Sequence, residues 1–362
     1  MTLTPDTARA WVDVDLGALT ANARALAALT GVRLLPMVKA NGYGLGAIAV
    51  ARALEPLEPW GYGVASVEEG AALRAAGIVR PILVVTPLLA ESVQPHLAHD
   101  LRPTIGDPLA LEAWSAASTR PFHVEVDTGM GRAGVRWDDR AALTAVAGRL
   151  VGAQGWEGAF THFHSADTDP SSAGVQWDRF QGVLGAMPRR PALVHAANSA
   201  ASLHGRAYAG DLIRPGIFLY GGGAGGRPPA AVATLRARVI AVRRIAAGAT
   251  VSYGATWCAP RPTTIATLAI GYADGFLRSA RDGAAADRWI ELDGALVPVV
   301  GRVTMDMTML DVGDGQPTPG DVATVYGGRV SLDQQAAAAG TIAYELLTAL
   351  GARVPRRYRE GS

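Results

Sequence analysis

The sequence contains a single lysine, Lys39, in the stretch LLPMVKANGYGLG at positions 34–46. Of the 33 lysines and arginines, all the others are arginines. A guanidinium stays protonated at any workable pH, whereas an amine can be desolvated, lose its proton and attack a carbonyl. Alternatively, a compositional bias toward arginine could have left a single lysine at this position by chance. The residues around Lys39 must therefore decide between a chemical role for this lysine and compositional chance.

Other side chains with possible chemistry follow short apolar runs. They are Asp127 and Arg132 in VDTGMGR, His162 in THFHSAD, Asn198 and Ser199 in HAANS, and Arg214, Gly216 and Ile217 in RPGIFLYG. Ser199, the amides after Pro215, and Tyr43 in the ANGYGLGA segment are of the kinds that bind phosphate. Glycines alone fit an ordinary turn equally well, and a polar pair such as Asn198–Ser199 often closes a strand.

The elements that would position these residues form a repeating pattern. Eight apolar runs alternate with amphipathic stretches at 34–40, 61–67, 81–87, 101–105, 122–129, 157–163, 192–199 and 212–221. This pattern predicts an α/β fold, a (β/α)8 (TIM-type) barrel. An open doubly wound sheet is the competing fold, but no GxGxxG turn follows the first run.

A barrel gathers the ends of its strands on one face, where barrel enzymes carry their chemistry. Lys39 ends the first run, and the candidate polar residues end the fifth to eighth. A lysine facing a phosphate-binding cup describes a pyridoxal 5'-phosphate site.

The pattern changes after the Gly/Pro-rich segment at 221–231. The later segments read as short strands with Gly and Asp turns, followed by a helix in TIAYELLTALGARV. The sequence therefore predicts a barrel over residues 10–231 and a mostly β C-terminal domain over 232–362, against which residues 1–9 can also pack.

Composition argues against several classes of protein. The net charge of +1 gives no electrostatic case for nucleic acid or an anionic membrane. Cys258 is the single cysteine, and no Cys/His spacing indicates a metal site. The N-terminus lacks a secretory signal, and no apolar run of ~18 residues could span a bilayer. We therefore expect a cytoplasmic enzyme.

Taken together, the motifs resemble those of the alanine racemases. The matching segments run in family order: VKANGYGLG, VDTGMGRAG, THFHSAD, HAANS, RPGIFLYG, VSYGATW, GYADG, GRVTMDMTMLDV and GARVPRRY. The resemblance implies a pyridoxal-phosphate-dependent isomerase that interconverts L-alanine and D-alanine for peptidoglycan. It also implies a homodimer in which each active site is completed by the partner's β domain.

The resemblance implies two catalytic residues. Lys39 would hold the cofactor and act as base on one face of the α-carbon, and Tyr272, from the partner, would act on the other. Racemisation requires two groups that flank a planar carbanion. His162 and Arg214 would supply positive charge that supports the tyrosine as a phenolate.

The remaining roles concern binding. Arg214 would face the pyridine nitrogen, and Arg132 would fix the substrate carboxylate with help from the amide of Met305. Asp306, beside Met305, is assigned a supporting role. The phosphate would be bound by Tyr43, Ser199, Gly216 and Ile217, with Asn198 nearby.

Two positions depart from the family pattern. Glu125 stands where several members carry a carbamylated lysine, and we expect its carboxylate to orient Arg132 directly; a plain surface glutamate is the alternative. Ala352 replaces a tyrosine that narrows the substrate route and touches the phosphate, so we expect weaker discrimination against serine.

Three other functions compete with alanine racemisation. A serine or broad-specificity racemase is the alternative that Ala352 favours. A related group decarboxylates basic or diacidic amino acids, but it uses a catalytic cysteine, and Cys258 lies in VSYGATWC rather than in a comparable place. A non-catalytic pyridoxal-phosphate carrier has neither a second domain nor an opposing tyrosine.

Overall fold

The structure, a computed structural model, describes residues 7–278 and 288–360. Its first strand is β1 (Ala10–Asp15), and parallel strands follow along the first half of the chain. These are β2 (Arg33–Leu34), β3 (Tyr62–Val64), β4 (Ile82–Pro87), β5 (Arg102–Ile105), β6 (Phe122–Asp127), β7 (Val135–Arg136), β8 (Trp156–Phe160), β9 (Leu193–His195) and β10 (Leu212–Ile213). Strands β3, β4, β5, β6, β8 and β9 pair side by side as a half-barrel, while β2 and β10 pair with each other. All eight predicted runs contain a strand.

Helices separate these strands, as the amphipathic stretches predict. They are α1 (Leu16–Thr30), α2 (Lys39–Tyr43), α3 (Ala47–Leu54), α4 (Val67–Ala75), α5 (Val93–Ala98), α6 (Pro108–Ala117), α7 (Arg140–Leu150), α8 (Pro170–Gly185) and α9 (Ser199–Ser202), with 3-10 turns at Glu55–Leu57, Ala90–Ser92, Gly205–Tyr208 and Ile217–Tyr220. Ser66, Asp107, Asp139 and Asp169 cap α4, α6, α7 and α8 by accepting from first-turn amides. Such caps satisfy amides that would otherwise lack partners, and they set where each helix begins.

The turn α2, immediately after β2, has an unusual backbone. Ala40, Asn41, Gly42 and Tyr43 have φ angles of 51°, 53°, 62° and 52°, so the chain makes a left-handed turn. Consecutive left-handed residues cost roughly 1–2 kcal/mol each unless they are glycine. Packing has to sustain this turn, which begins at Lys39.

The second half is a β domain built around a closed ring. Its elements are β11 (Ala233–Ile245), β12 (Thr250–Val251), β13 (Trp257–Cys258), β14 (Thr263–Leu268), β15 (Trp289–Leu292), β16 (Ala295–Val300), β17 (Thr308–Gly313), β18 (Val322–Tyr326), α10 (Leu332–Ala339), α11 (Ala343–Thr348) and β19 (Arg356–Arg359), with 3-10 turns at Tyr253–Ala255 and Tyr272–Asp274. Six antiparallel strands close in the order β11, β14, β17, β16, β15 and β18, because β18 returns to β11.

Strand β1 belongs to this β domain rather than to the first half. It pairs antiparallel with β11 and parallel with β19. Asp13 on β1 accepts from Arg236 at 2.8 Å and lies 3.1 Å from Arg359. The expected barrel start at residue 10 is therefore too early, since the alternating segment AWVDVD finds its partners in the second sheet. Residues 1–6 of the expected N-terminal contact lie outside the described residues, while Arg9 does bond to Asp274.

Within one chain, the β domain packs against the turn that carries Lys39. Helix α11 contacts α2. Arg356 Nε donates to the Gly44 carbonyl at 2.8 Å, and the Tyr358 hydroxyl donates to the Leu45 carbonyl at 3.0 Å. These bonds brace the left-handed turn from outside. In the described residues no helix combines the length and the apolar character that crossing a membrane requires.

Candidate active site

A cavity of about 300 Å³ lies where the predicted polar residues converge. It is lined by Met37, Lys39, Ala40, Tyr43, Val85, Glu125, Arg132, Phe160, His162, Asn198, Ser199, Arg214, Gly216, Ile217, Tyr344 and Thr348. Ten of these were predicted from the sequence as site residues; Glu125 lies in strand β6, and the others follow the ends of different strands. The other predicted residues, Tyr272, Met305, Asp306 and Ala352, do not line it.

Lys39 is half-buried in this cavity. Burial lowers the pKa of its ammonium group, and the positive charge of Arg132 and then of Arg214 lowers it further, while Glu69 opposes the change. A lowered pKa makes the neutral, nucleophilic amine more available at neutral pH. Lys39 thus has the environment that the chemical interpretation of a lone lysine requires.

A polar cup formed by Ser199, Gly216 and Tyr43 lines the same cavity as the lysine. The Ser199 hydroxyl oxygen accepts from the amides of Gly216 and Phe218 at 2.9 and 3.3 Å. Its own proton has no acceptor among the described residues and remains available to a ligand. A Cβ on Gly216 would lie 2.2 Å from the Tyr43 hydroxyl, so that hydroxyl sits directly against the cup. Tyr43 is held by stacking on Tyr220, with ring centroids 4.5 Å apart.

Asn198 has a structural role at the edge of this cup. Its side-chain oxygen accepts from the Ala201 amide at 3.0 Å and caps α9. The residue therefore fixes the start of the helix that carries Ser199, which agrees with the plainer of its two interpretations.

Arg214 is buried and almost fully bonded. Nη1 donates to His195 Nδ1 and to the His195 carbonyl, both at 2.8 Å. Nη2 donates to the carbonyls of Thr161 and Ala196 at 2.7 and 3.1 Å. Four of its five N–H donors are thereby used, and Nε–H remains as the donor without a partner in the described part of the chain. Burial lowers the pKa of Arg214 to about 10, so it stays a cation at neutral pH.

His162 differs from the expectation in its charge. Burial, followed by the charges of Arg214, Arg132 and Lys39, lowers the pKa of its imidazole to about 3. The ring is therefore neutral at physiological pH and cannot supply positive charge to a nearby phenolate. It can still act as a hydrogen-bond donor, and the positive charge at this end of the cavity comes from the two arginines.

Arg132 and Glu125 share the cavity without forming an ion pair within the described residues. Arg132 is exposed and has no bonded carboxylate there, so its guanidinium is available to a ligand. Glu125 is buried, and its Oε2 has no hydrogen-bond partner. Burial raises the pKa of Glu125 to about 7, against opposing effects of Arg132 and Arg214. The predicted orientation of Arg132 by Glu125 remains a prediction.

Several residues that the sequence analysis missed hold this geometry. Gln176, buried on α8, donates to the Thr128 hydroxyl and the His162 carbonyl, and so ties the Arg132 loop to the His162 loop. Glu69 accepts from the amides of Ala40 and Ala65 at 2.6 and 2.7 Å. Neither Gln176 nor Glu69 lies in a motif at the end of a strand, so the sequence pattern did not indicate them as site residues.

Tyr344 and Thr348, on α11, bring the β domain to the cavity. The Tyr344 ring lies 6.0 Å from that of Tyr43. Burial raises the pKa of Tyr344 to about 12, so its hydroxyl is protonated and can donate. The sequence predicted a helix here but gave no sign of which face it would present.

Tyr272 and Met305 lie together on the surface of the β domain. They are 41% and 52% exposed, and the Tyr272 amide donates to the Thr304 carbonyl at 3.0 Å. Asp274, fully buried beneath them, accepts from Arg9 and Arg353 at 2.6 and 2.7 Å.

Asp306 and Ala352 belong to the same surface. Asp306 accepts from Arg353 at 2.6 Å, which links the two turns that carry Tyr272 and Met305. Ala352, next to Arg353, is exposed. Hence these predicted residues form a second group, apart from the Lys39 cavity of their own chain.

The donor set of the cavity fits pyridoxal phosphate. A hydroxyl proton on Ser199 and the Tyr43 hydroxyl meet at a glycine whose missing side chain leaves room, which suits a phosphate. Lys39 offers an amine, and Arg214 offers one free N–H for a ring nitrogen. No group of three or more His, Cys, Asp or Glu side chains that could hold a metal ion occurs among residues 7–278 and 288–360.

Two family models together match nearly the whole chain. Residues 14–224 match the alanine racemase N-terminal domain, and residues 232–358 match the alanine racemase C-terminal domain. An alanine racemase from Deinococcus radiodurans is 39% identical over 361 residues, covering 96% of this chain and 99% of that protein. One from Desulfosudis oleivorans is 36% identical and covers 98% and 97%.

Solved structures give the same result. The alanine racemase from a D-cycloserine-producing Streptomyces lavendulae superposes with a TM-score of 0.90 at 32% identity, covering 99% of each chain. The alanine racemase from Bartonella henselae, solved with covalently bound pyridoxal phosphate, gives 0.89 at 30% identity over 97% of this chain and all of that one. With two family models, full-length relatives and matching structures in agreement, the chain belongs to the alanine racemase family.

Proposed function

We propose that this protein interconverts L-alanine and D-alanine with pyridoxal phosphate bound at Lys39. The single observation that carries the proposal is the cavity itself. Lys39 has a lowered pKa and lines the same cavity as the Ser199–Tyr43 cup, Arg214 and Arg132. Family membership supports this reaction, and the lining of the cavity supports the choice of residues. Pyridoxal phosphate supplies an electron sink that acidifies the α-hydrogen of a bound amino acid.

Each side chain then has a task. The Lys39 amine takes or returns the α-proton on one face of the amino acid. Arg132, exposed to the cavity and unpaired in the described structure, binds the carboxylate. Arg214 donates from Nε to the ring nitrogen; because it is a permanent cation, it discourages protonation of that nitrogen.

Tyr272 of the partner subunit is the proposed base on the opposite face. Its exposure, beside Met305 and Met307, which are 52% and 44% exposed, supports this assignment. A cluster of exposed apolar side chains on a monomer commonly marks a subunit interface. In the proposed homodimer, Met305 of the partner subunit would lie beside the substrate carboxylate.

The finer architecture is also part of the proposal. We infer that eight of the parallel strands, β2–β6 and β8–β10, close as a (β/α)8 barrel, with the two-residue β7 paired on β6 outside the ring. A backbone bridge joins Met37, after β2, to Gly63 in β3, and the Asp211 amide, just before β10, donates to the Val194 carbonyl in β9. The barrel then spans residues 16–231, and the β domain takes residues 232–360 together with β1.

Serine is the alternative substrate. The absence of a ring at Ala352 favours it, whereas Tyr344 and Thr348 on α11 line the Lys39 cavity itself. The presence of those two side chains supports alanine as the preferred substrate. A cytoplasmic location, expected from the sequence, and a supply of D-alanine to peptidoglycan, implied by the family resemblance, remain predictions.

Exchange of the α-hydrogen in D₂O, followed by NMR, tests the function. With added pyridoxal phosphate we expect deuterium incorporation and growth of the D-isomer from L-alanine, more slowly from L-serine. Lys39→Ala should abolish both, and Tyr272→Phe should still bind the yellow cofactor but racemise far more slowly. A yellow protein that exchanges neither amino acid would instead indicate a carrier.

A further inference from the structure

A chain of hydrogen bonds leads from Arg214 into the interior of the barrel. Arg214 Nη1 lies 2.8 Å from His195 Nδ1, and His195 Nε2 lies 2.8 Å from His123 Nδ1. His123 Nε2 lies 3.2 Å from Glu157 Oε2, which also accepts from Arg102 Nε at 2.7 Å. Both imidazoles are fully buried. Neither touches the cavity, so the proposed reaction leaves them without a role.

The direction of every bond in this chain follows from which groups can donate. A guanidinium only donates, so His195 Nδ1 must carry a lone pair, and the proton of the neutral ring is on Nε2. That N–H donates to His123 Nδ1, which places the second proton on His123 Nε2. A carboxylate only accepts, so Glu157 receives this last N–H. One arrangement of protons satisfies all of the bonds.

The surroundings keep both rings neutral. Burial lowers the pKa of His123, against an opposing effect of Glu157, and lowers that of His195 well below its usual value with help from Arg214. The Phe160 ring stacks on His195 with centroids 5.0 Å apart, and Trp60 lies 5.4 Å from His123. A Cβ on Gly158 would fall 2.5 Å from His123 Nδ1, so the ring rests on that glycine.

The chain crosses the barrel from one end to the other. His195 is the last residue of β9, close to the cavity, whereas His123 and Glu157 are each the second residue of β6 and β8. Arg102 is the first residue of β5. The side chain of Glu157 is 22% exposed, so the far end of the chain reaches solvent.

We propose that His195, His123 and Glu157 are positioning residues, which hold Arg214 through a hydrogen-bond chain of fixed direction and so keep its Nε directed at the cofactor ring. Glu157 sets the tautomer of His123, which sets the tautomer of His195. The opposite tautomer of His195 would turn an N–H toward the Arg214 guanidinium and remove its acceptor. The assignment to the cofactor ring rests on the proposed function, whereas the proton arrangement does not.

The first test observes the protons directly. Holoenzyme labelled with ¹⁵N-histidine should show His123 and His195 as neutral rings protonated on Nε2, unchanged between pH 6 and 9. The two signals are assigned from the spectra of His123→Asn and His195→Asn. A ring that is protonated on Nδ1, or that becomes charged in this range, would overturn the proposal. The result is the same whether or not the protein racemises alanine, so the two proposals fail separately.

The second test uses a matched pair of substitutions. In His195→Asn the amide oxygen can replace Nδ1 as acceptor for Arg214, whereas in His195→Gln the amide NH₂ can replace Nε2–H as donor to His123. His195→Gln loses the hydrogen bond that the charged Arg214 donates to position 195. We therefore expect His195→Gln to bind pyridoxal phosphate about tenfold to a hundredfold more weakly than His195→Asn. Equal losses would show that the ring serves only as packing, and a greater loss in His195→Asn would reverse the proposed direction.

Glu157 gives the long-range version of this test. Glu157→Gln keeps an acceptor for His123, but Glu157→Leu leaves the His123 N–H without one. We expect Glu157→Leu to change the His195 NMR signal and the absorbance spectrum of the bound cofactor, although Glu157 touches neither. Glu112→Leu, a surface glutamate paired with Arg149, is the control. An unchanged His195 signal in Glu157→Leu would contradict a continuous chain.

Discussion

Glu125 is an acid that the fold keeps partly protonated. Its carboxyl is buried beside the cavity, and one oxygen has no partner among the described residues. Its pKa is raised from 4.5 to about 7. Near neutral pH the carboxyl group is therefore present both as a neutral acid and as a buried anion. The positive charges of Arg132 and Arg214 stabilise the anion. A carbamylated lysine at this position would be a permanent anion, so the substitution exchanges constant charge for charge that depends on pH.

The expected consequence is a pH-dependent cost to stability. A raised pKa in the folded state means that the folded protein binds more protons than the unfolded chain between about pH 4.5 and 7. The free energy of unfolding therefore falls as pH rises through that window, by at most about 3 kcal/mol. Glu125→Gln should be more stable than the wild type at pH 8 and similar to it at pH 5.

Thermal melting across pH 5–8 measures this difference. Glu91→Gln, at an exposed site, is the matched control and should follow the wild type throughout. If the difference between Glu125→Gln and the wild type did not grow with pH, the carboxyl would be ionised normally. Its proposed action on Arg132 would then have to be tested separately, by the effect of the same substitution on KM.

At the scale of elements, the turns that carry Tyr272 and Met305 behave as one unit. Asp274 accepts from the Gly271 amide with one oxygen and from Arg9 and Arg353 with the other. A Cβ on Gly271 would lie 2.3 Å from the Thr304 carbonyl oxygen, so the two turns pack backbone against backbone. The position of the proposed second base is thus set by a buried carboxylate two residues away.

Removal of that carboxylate should loosen the turn without disturbing the cofactor. Asp274→Asn leaves two arginines without their shared anion, and breaking a buried pair costs about 3 kcal/mol, less here because both arginines are partly exposed. We expect a lower melting temperature and a reduced kcat, with unchanged pyridoxal phosphate affinity. Asp306→Asn, whose carboxylate is 46% exposed, should cost under about 1 kcal/mol. A loss of cofactor affinity in Asp274→Asn would mean that the turn helps to bind the cofactor as well as to position Tyr272.

The sequence predicted the elements better than their boundaries. The apolar runs located every parallel strand of the first half except the two-residue β7, because a strand buried on both faces has to be apolar. The strand β1 was misplaced, since the alternation of AWVDVD shows that one face is buried but not which sheet covers it. Similarly, Lys39 and Arg214 could be found from motifs at strand ends, whereas His123, Glu157 and Gln176 act through contacts between distant segments that no local pattern records.

For the whole molecule, the proposed arrangement predicts complementation between inactive subunits. Lys39→Ala and Tyr272→Phe each damage both sites of a homodimer. In a mixed dimer, one site combines the intact Lys39 of one subunit with the intact Tyr272 of the other. After co-refolding of equal amounts, half of the dimers are mixed and half of their sites are intact, so we expect about a quarter of wild-type activity. No recovery above either variant alone would place Tyr272 and Lys39 of one chain in the same site.

The contact between α11 and the Lys39 turn has a consequence for how such an enzyme can evolve. Each β domain lines the cavity of its own chain through Tyr344 and Thr348, and in the proposed homodimer it would also present Tyr272 and Met305 to the partner. A small rotation of that domain would therefore move Tyr344 and Thr348 in the cavity of its own chain and, at the same time, the proposed base Tyr272 in the active site of the partner. We therefore expect substrate range to change mainly through single side-chain substitutions, such as those at position 352, because these leave the domain orientation unchanged. Mutations that reorient the β domain should be tolerated only together with compensating mutations.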